Sequence, residues 1–361
     1  MSLTSMIASA PGIRAMKFGY SNARAKAMKS ALLDRSVLEQ MIAAGSMREL
    51  LGILEATPYK QDLGEPSLRY TGADLVEFAL GRHFARHVRK VLRFTPPDSV
   101  GTILSVVRKW DAYNAKTILL GKHLGYKDEE IVPLLVPAGS MKPEELKRMR
   151  EQRDVESLVA FISRSPGYRQ ALIPLLGPYR ETKNVQPLLD AIELQFYRTL
   201  SKTISGAQFD EPVILDLVKA NIDARNVMNV LRGKRDGISD EAMMRFFIEG
   251  GNIKRRGFKI LVACHSIEEA VAKAKGRYNL DAALEAYKAD GSLVHFETEF
   301  ERKIAEKGLK ALRTCILSPG AIVAYLYLKE TEISNLRKIV RAKEFGVPPD
   351  KLRETIVFMA G

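Results

Sequence analysis

Polar and apolar positions along this chain follow a helical period. From Ser99 to Gly125 the apolar residues Val100, Ile103, Leu104, Val107, Trp110 and Ile118 return at helical spacing, which places them on one face of a helix. Further helices are predicted over about Ala73 to Phe94, Val185 to Ser205 and Leu280 to Arg313. Alternation at period two is scarce, and turn-bounded runs of Val, Ile and Thr hardly occur. The chain reads as all-α.

The pattern also recurs. D-A-Y-N-A-K-T-I-L-L-G-K-H-L-G runs from Asp111, D-A-R-N-V-M-N-V-L-R-G-K-R-D-G from Asp223, and E-I-S-N-L-R-K-I-V-R-A-K-E-F-G from Glu332. Each sets an acid, then Asn, Lys and Gly at fixed spacing: Asp111, Asn114, Lys122, Gly125; Asp223, Asn226, Lys234, Gly237; Glu332, Asn335, Lys343, Gly346. The asparagines lie 112 and 109 residues apart, and Tyr59, Tyr168 and Tyr278 keep nearly the same beat at 109 and 110. A partial fourth copy, Tyr20-Ser21-Asn22-Ala23-Arg24, retains Asn22 and Arg24 but has Gly19 in place of the acid.

Three similar helical lobes on a period of about 110 residues are therefore expected, divided as 1–107, 108–218 and 219–361. The motif helix occurs four times and the rest of the unit three times. The C-terminal copy, Tyr325 to Gly361, is thus expected to pack back beside the N-terminal one. Each closing Gly stands where a helix ends in a left-handed residue, and start signals follow at Asp128-Glu129-Glu130, Ser239-Asp240-Glu241 and Pro348-Pro349-Asp350.

Composition narrows the function classes. With 46% hydrophobic and 27% charged residues the chain is globular rather than disordered. Cys264 and Cys315 are its only cysteines, which excludes a disulfide framework and a four-cysteine zinc site and suits a reducing compartment. The most apolar stretch, Ile316 to Leu328, is too short for a membrane span and contains Pro319 and Gly320. Met1 to Pro11 has no basic residue ahead of its weakly apolar part and does not read as a signal peptide. A cytoplasmic protein able to rest on a membrane surface is expected. The formal net charge of +13 favours an acidic partner.

Candidate chemistry is sparse. The repeated acid–Asn pairs read either as three equivalent ligand sites or as a hydrogen-bonding network between helices. Packing solutions triplicate naturally whereas catalytic sites rarely do, so the network is the expectation. His83 and His87 are spaced like metal ligands, but they sit among Arg82, Arg86, Arg89 and Lys90 with no neighbouring acid in the run, and a solvated or anion-facing surface is expected. Cys264-His265 has no second ligand or base partner at motif spacing, and neither a G-x-x-x-x-G-K-[ST] loop nor a strand-led G-x-G-x-x-G occurs. Ala138-Gly139-Ser140 and Gly250-Gly251-Asn252 hold equivalent places in their repeats and read as turns. No catalytic residue, metal or cofactor is expected. Basic clusters remain at Arg82, Arg86, Arg89, Lys90 and Arg93; at Lys254, Arg255, Arg256 and Lys259; at Arg232, Lys234 and Arg235; and at Arg337, Lys338, Arg341 and Lys343. They read as solvated faces or as partner-binding surfaces. One alternative is a basic helical-repeat nucleic-acid binder, for which 7% aromatics and a single Trp give little stacking surface.

The segments Tyr20-Ser21-Asn22-Ala23-Arg24-Ala25-Lys26-Ala27, Trp110-Asp111-Ala112-Tyr113-Asn114-Ala115-Lys116 and Ile222-Asp223-Ala224-Arg225-Asn226, with Leu231-Arg232-Gly233, resemble the C subunit of archaeal- and vacuolar-type rotary ATP synthases, itself similar to the d subunit of the vacuolar ATPase. The resemblance spans about Tyr20 to Ile356; Gly19 and Met228 depart from it where an acid and a base would stand. It implies a wholly helical, three-lobed, funnel-shaped protein without catalytic activity. Such a protein seats on the cytoplasmic face of the membrane-embedded proteolipid c-ring, receives the rotor shaft made by the D and F subunits, and passes torque between ATP turnover and ion movement. A positive surface would suit an anionic membrane and acidic ring loops, and no nucleic acid is then expected as partner.

Overall fold

The computed structural model describes residues 11–205, 212–315 and 317–359. The expectation that Met1 to Pro11 is no signal peptide concerns residues that, Pro11 apart, lie outside this range. The described residues form α-helices and short 3₁₀ turns, with no strand among them.

In chain order the first helices are α1 Pro11–Lys29, α2 Arg35–Ala43, α3 Met47–Glu55, α4 Lys60–Leu63, α5 Gly72–Phe94, α6 Pro97–Val107 and α7 Lys109–Leu124. Then come α8 Asp128–Ile131, α9 Pro143–Arg150, α10 Val155–Ile162, α11 Pro166–Leu172, α12 Leu176–Thr182 and α13 Gln186–Ser205. The remainder are α14 Pro212–Arg235, α15 Asp240–Met243, α16 Arg255–Val262, α17 Ile267–Ala274, α18 Asp281–Asp290, α19 Val294–Thr314, α20 Gly320–Glu344 and α21 Pro349–Thr355. Two compact units result: Met1–Ala43 with Ser201–Gly361, and Ala44–Leu200.

Boundaries follow local chemistry. The single helix expected over Leu280 to Arg313 divides into α18 and α19, because Gly291 adopts φ +72° and closes α18 after Asp290. The helical face read from Ser99 to Gly125 spans two helices, α6 and α7, which meet at Arg108. The motif glycines Gly125, Gly237 and Gly346 all have positive φ, as their position at a helix end predicts. Past each of them the next N–H turns back to the helix: Tyr126 N–H to Gly121 O, Ile238 N–H to Gly233 O, and Val347 N–H to Ala342 O, at 2.8–2.9 Å.

In the first unit, α20 is the central element. Its start, Ala321 to Leu328, is apolar all round and buried against neighbouring helices, α19 and α1 foremost. The longest apolar run of the sequence is therefore protein core, and no helix among the described residues is long and apolar enough to cross a membrane. A second layer packs α14 onto α16, α17 and α19 through Val227, Leu231, Phe258, Val271, Phe296 and Phe300. In the second unit α5 buries Leu75, Val76, Leu80, Phe84, Val88 and Val91 on one face. Gly81 lets that helix approach the chain at Leu135 so closely that a Cβ would lie 2.6 Å from the Leu135 carbonyl oxygen.

The C-terminal motif helix completes its hydrogen bonding with the start of the chain. Glu332, fully buried in α20, accepts the Leu33 backbone N–H at 2.5 Å across 299 residues. Lys343 donates to the Ile42 carbonyl in the last turn of α2 at 2.6 Å, across 301 residues. Asn22 of α1 donates to the Ser318 carbonyl at 2.9 Å. The N- and C-terminal helices are thus joined by buried polar contacts as well as by packing of α1 on α20 and α2 on α21.

Glu332→Ala removes the acceptor of the buried Leu33 N–H and of the Lys329 ammonium, which is 1% exposed. It is expected to lower the unfolding free energy from urea titration by about 3 kcal/mol. Glu354→Ala, at an exposed position of α21, should change it by less than about 0.5 kcal/mol.

Candidate functional site

The repeated motif builds the same hydrogen-bonded joint three times. The side-chain amide of Asn114 donates to the Val136 carbonyl and accepts the Val136 N–H, both at 2.8 Å. Asn226 does the same with Ile248, at 2.9 Å in each direction. Asn335 does it with Val357, at 2.8 and 2.9 Å. In all three the partner lies 22 residues on, past a short helical turn, and the Asn is fully buried. An amide carries one donor edge and one acceptor edge, so a single side chain satisfies both backbone polar groups of one buried residue. Ile118, Val230 and Ile339, one helical turn after each Asn, are buried on the same stripe.

The acids hold the turn that follows. Asp111 accepts the Ser140 N–H and hydroxyl at 2.8 and 2.7 Å and the Met141 N–H at 3.0 Å. Asp223 accepts the Asn252 and Ile253 N–H groups at 3.1 and 2.8 Å and the Tyr278 hydroxyl at 2.6 Å. Beside these carboxylates stand Gly139 and Gly251, where a Cβ would lie 1.9 Å from Asp111 Oδ1 and 2.2 Å from Asp223 Oδ1. Those glycines are a matter of space. Glu332 reaches Leu33 instead, and Leu33 and Ile42 stand 220 residues before Ile253 and Val262. Lys234 donates to Val262 O as Lys343 donates to Ile42 O, so the third copy uses the beginning of the chain as the second uses its own continuation. Lys122 sits half-buried in the last turn of α7, and Arg24 lies over the Tyr20 ring at 5.7 Å.

Two of the repeated tyrosines, Tyr168 and Tyr278, accompany the acids. Burial and the neighbouring Asp111 carboxylate push the Tyr168 hydroxyl up to about 12. Tyr278 is pushed up by burial and by its hydrogen bond to Asp223. Tyr59 stacks on His83, ring centroids 3.9 Å apart.

The histidine pair requires a correction. His83 is fully buried, and His87 is 9% exposed and stacked on it, so neither forms a solvated face. The acid missing from the local run is Asp62 of α4: its Oδ2 pairs with His83 Nδ1 at 2.8 Å and accepts from Arg86 Nη2 at 2.5 Å. Burial pushes the Asp62 carboxyl up, but the hydrogen bonds from His83 and Arg86 outweigh it and hold it below its ordinary range. Sequence spacing conceals this partner because it lies 21 residues away on a separate helix. No group of three His, Cys, Asp or Glu residues among those described is arranged to hold a metal.

The basic clusters divide into paired and exposed cations. Arg82 pairs with Glu65 at 3.0 Å, Arg232 with Glu297 at 2.5 Å, Lys234 with Asp240 at 3.2 Å and Arg235 with Asp236 at 2.8 Å. Lys338 pairs with Glu301 at 2.6 Å and Arg341 with Glu344 at 2.7 Å, while Arg337 shares their helix. Arg89, Lys90 and Arg93 are exposed along α5, with no ion pair among the described residues. Lys254, Arg255, Arg256 and Lys259 are exposed at and within α16; Lys254 donates to Gly251 O at 2.9 Å and Arg255 lies 5.9 Å from the Phe247 ring.

Asn226→Ala strands the buried N–H and C=O of Ile248. It should lower the urea unfolding free energy by about 2–4 kcal/mol, with Asn114→Ala and Asn335→Ala alike. Asn279→Ala, whose side chain accepts only the exposed Asp281 N–H, should cost under about 1 kcal/mol. Tyr168 ionises near 10 when unfolded and about 12 when folded, so its contribution is complete below pH 10 and lost as pH rises towards 12. Tyr168→Phe should flatten the fall of the unfolding midpoint across that window.

Residues 21–355 match the family described as ATP synthase (C/AC39) subunit. The chain is 28% identical over 340 residues to the C subunit of the A-type ATP synthase of Thermoplasma acidophilum, covering 91% of this chain and 94% of that protein. It is 29% identical to the corresponding C subunits of the A-type ATP synthases of Methanocaldococcus jannaschii and Haloferax volcanii, covering 94% of this chain in each case and 86% and 97% of theirs. The sequence repeat, the all-helical fold and these relationships lead to one conclusion: the chain belongs to the C/AC39 family of A/V-type ATP synthase subunits.

Proposed function

We propose that this protein is a non-catalytic adaptor in the central stalk of a rotary ATP synthase. It joins the shaft, made by the D and F subunits, to the membrane c-ring on the cytoplasmic face, and passes torque between ATP turnover and ion transport. The observation that carries this reading is the family match over residues 21–355. In this reading the chain is organised as lobes 1–107, 108–218 and 219–361, with the C-terminal motif helix returning to the first.

Two features of the residues support it. An adaptor under torque needs stiff joints, and the conspicuous polar residues Asp111, Asn114, Asp223, Asn226, Glu332 and Asn335 are all engaged in hydrogen bonds to backbone. An adaptor also needs contact surfaces, and the exposed cations fit that role. The short helices α9, α15 and α17 carry acids in their first turns, as the helix dipole favours. In α16, by contrast, Lys254, Arg255 and Arg256 stand at the N-terminus, each unfavourable by about 0.3–1 kcal/mol by the same rule. Cations held against the dipole favour an acidic partner over self-stability. Arg89, Lys90 and Arg93 form the second such surface; Arg82 and Arg86 are occupied within the protein.

The test is co-purification from membranes with the two shaft proteins and the proteolipid. The wild-type chain should recover all three, and Arg89→Glu/Lys90→Glu/Arg93→Glu or Arg255→Glu/Arg256→Glu/Lys259→Glu should reduce recovery about tenfold at moderate salt. No recovery by the wild type sinks the adaptor reading; recovery unchanged in both variants removes these clusters from the interface. Arg86→Glu is expected to behave differently, costing about 2 kcal/mol or more of stability because it sets a second carboxylate beside buried Asp62.

A further inference from the structure

We propose that the groove between α1 and α19 is a binding site for a phosphate group. A cavity of about 190 Å³ lies there, lined by Lys26, Lys29, Arg313, Leu309 and Leu312. It has room for several water-sized groups and so for a phosphate. Leu309 and Leu312 are 8% and 4% exposed and form an apolar floor. Lys26 and Arg313 are exposed and Lys29 is half-buried; none of the three has a hydrogen bond or ion pair from its side chain among the described residues.

These cations contrast with their neighbours. Along α19, Arg302 and Lys303 pair with Glu299, and Lys307 pairs with Asp216. Around the cavity three positive charges converge with no carboxylate among the lining residues. Helix dipoles explain part of this, since Lys26 and Lys29 close α1 and Arg313 closes α19. Each helix end supplies roughly half a negative charge, so two ends offset about one of the three positive charges and leave about two. A carboxylate brings one negative charge and two oxygens. A phosphomonoester brings about 1.5 to 2 charges and three acceptor oxygens, which match one guanidinium and two ammonium groups around an apolar floor. The phosphate would come from a soluble phosphate compound or from the headgroup of an anionic lipid, whose glyceryl carbons would meet the leucines.

The site is independent of the adaptor reading and is tested on the purified full chain alone. Inorganic pyrophosphate titrated calorimetrically at low salt should saturate one site. Lys26→Gln/Lys29→Gln/Arg313→Gln should weaken it by about tenfold or more, whereas Lys60→Gln/Arg69→Gln/Arg148→Gln, which removes the same charge at exposed positions elsewhere, should change it by less than about twofold. Arg313→Gln alone serves if the triple variant melts early by circular dichroism. Phosphatidylcholine vesicles with about one-fifth phosphatidate form the second arm, since they present the same group in a bilayer. Loss of vesicle binding in the groove variant supports a lipid source, and pyrophosphate binding without vesicle binding supports a soluble one. Equal weakening in both charge variants, or neither probe binding in a groove-dependent way, overturns the proposal.

Discussion

The structure depends on one interaction: a buried asparagine amide that takes both backbone polar groups of a residue 22 positions further on. In an all-helical protein the chain must repeatedly leave one helix and return, and the peptides at each return are buried without a strand partner. An unpaired buried N–H or C=O costs about 1–3 kcal/mol, so each return needs a dedicated partner. Asn meets the need because its amide reproduces the peptide's own edge. The acid one turn earlier extends the joint to the next bend, and glycine follows there because the carboxylate fills the space of a Cβ.

The same requirement explains how the chain's ends are joined. The C-terminal motif helix completes its joint with the beginning of the chain, whereas the second copy uses the residues that follow it. Leu33 and Ile42 take the places of Ile253 and Val262, at the same two-repeat offset. Burial of Lys329 with Glu332 at the centre of α20 sets two charged side chains in the core, and the Leu33 N–H adds to the bonding that holds them there. Polar groups therefore specify which helices meet, while the apolar stripes of α1, α19 and α20 supply the area.

Charge is divided by the fold. A net +13 reads from composition as one property, but among the described residues it separates into cations paired with carboxylates, cations that donate to carbonyls, and exposed cations with neither. Exposed pairs contribute at most about 1 kcal/mol each, so they are a weak source of stability. Unpaired cations on α5, at the start of α16 and around the α1–α19 groove are among those where charge remains to meet a partner.

The helical class, the repeat and the family were legible in the sequence, because period and spacing are properties of the linear chain. So were the acid, Asn and closing Gly of each motif, although not the atoms they meet. Two kinds of feature were not. Asp62 beneath His83 and Arg86 belongs to a separate helix, and without it a buried pair reads as a surface. The convergence of Lys26 and Lys29 with Arg313 arises only where two helices end together. Local periodicity encodes which residues face inward; which inward-facing groups touch is decided by packing between segments tens to hundreds of residues apart, and that alone determines which charges are neutralised.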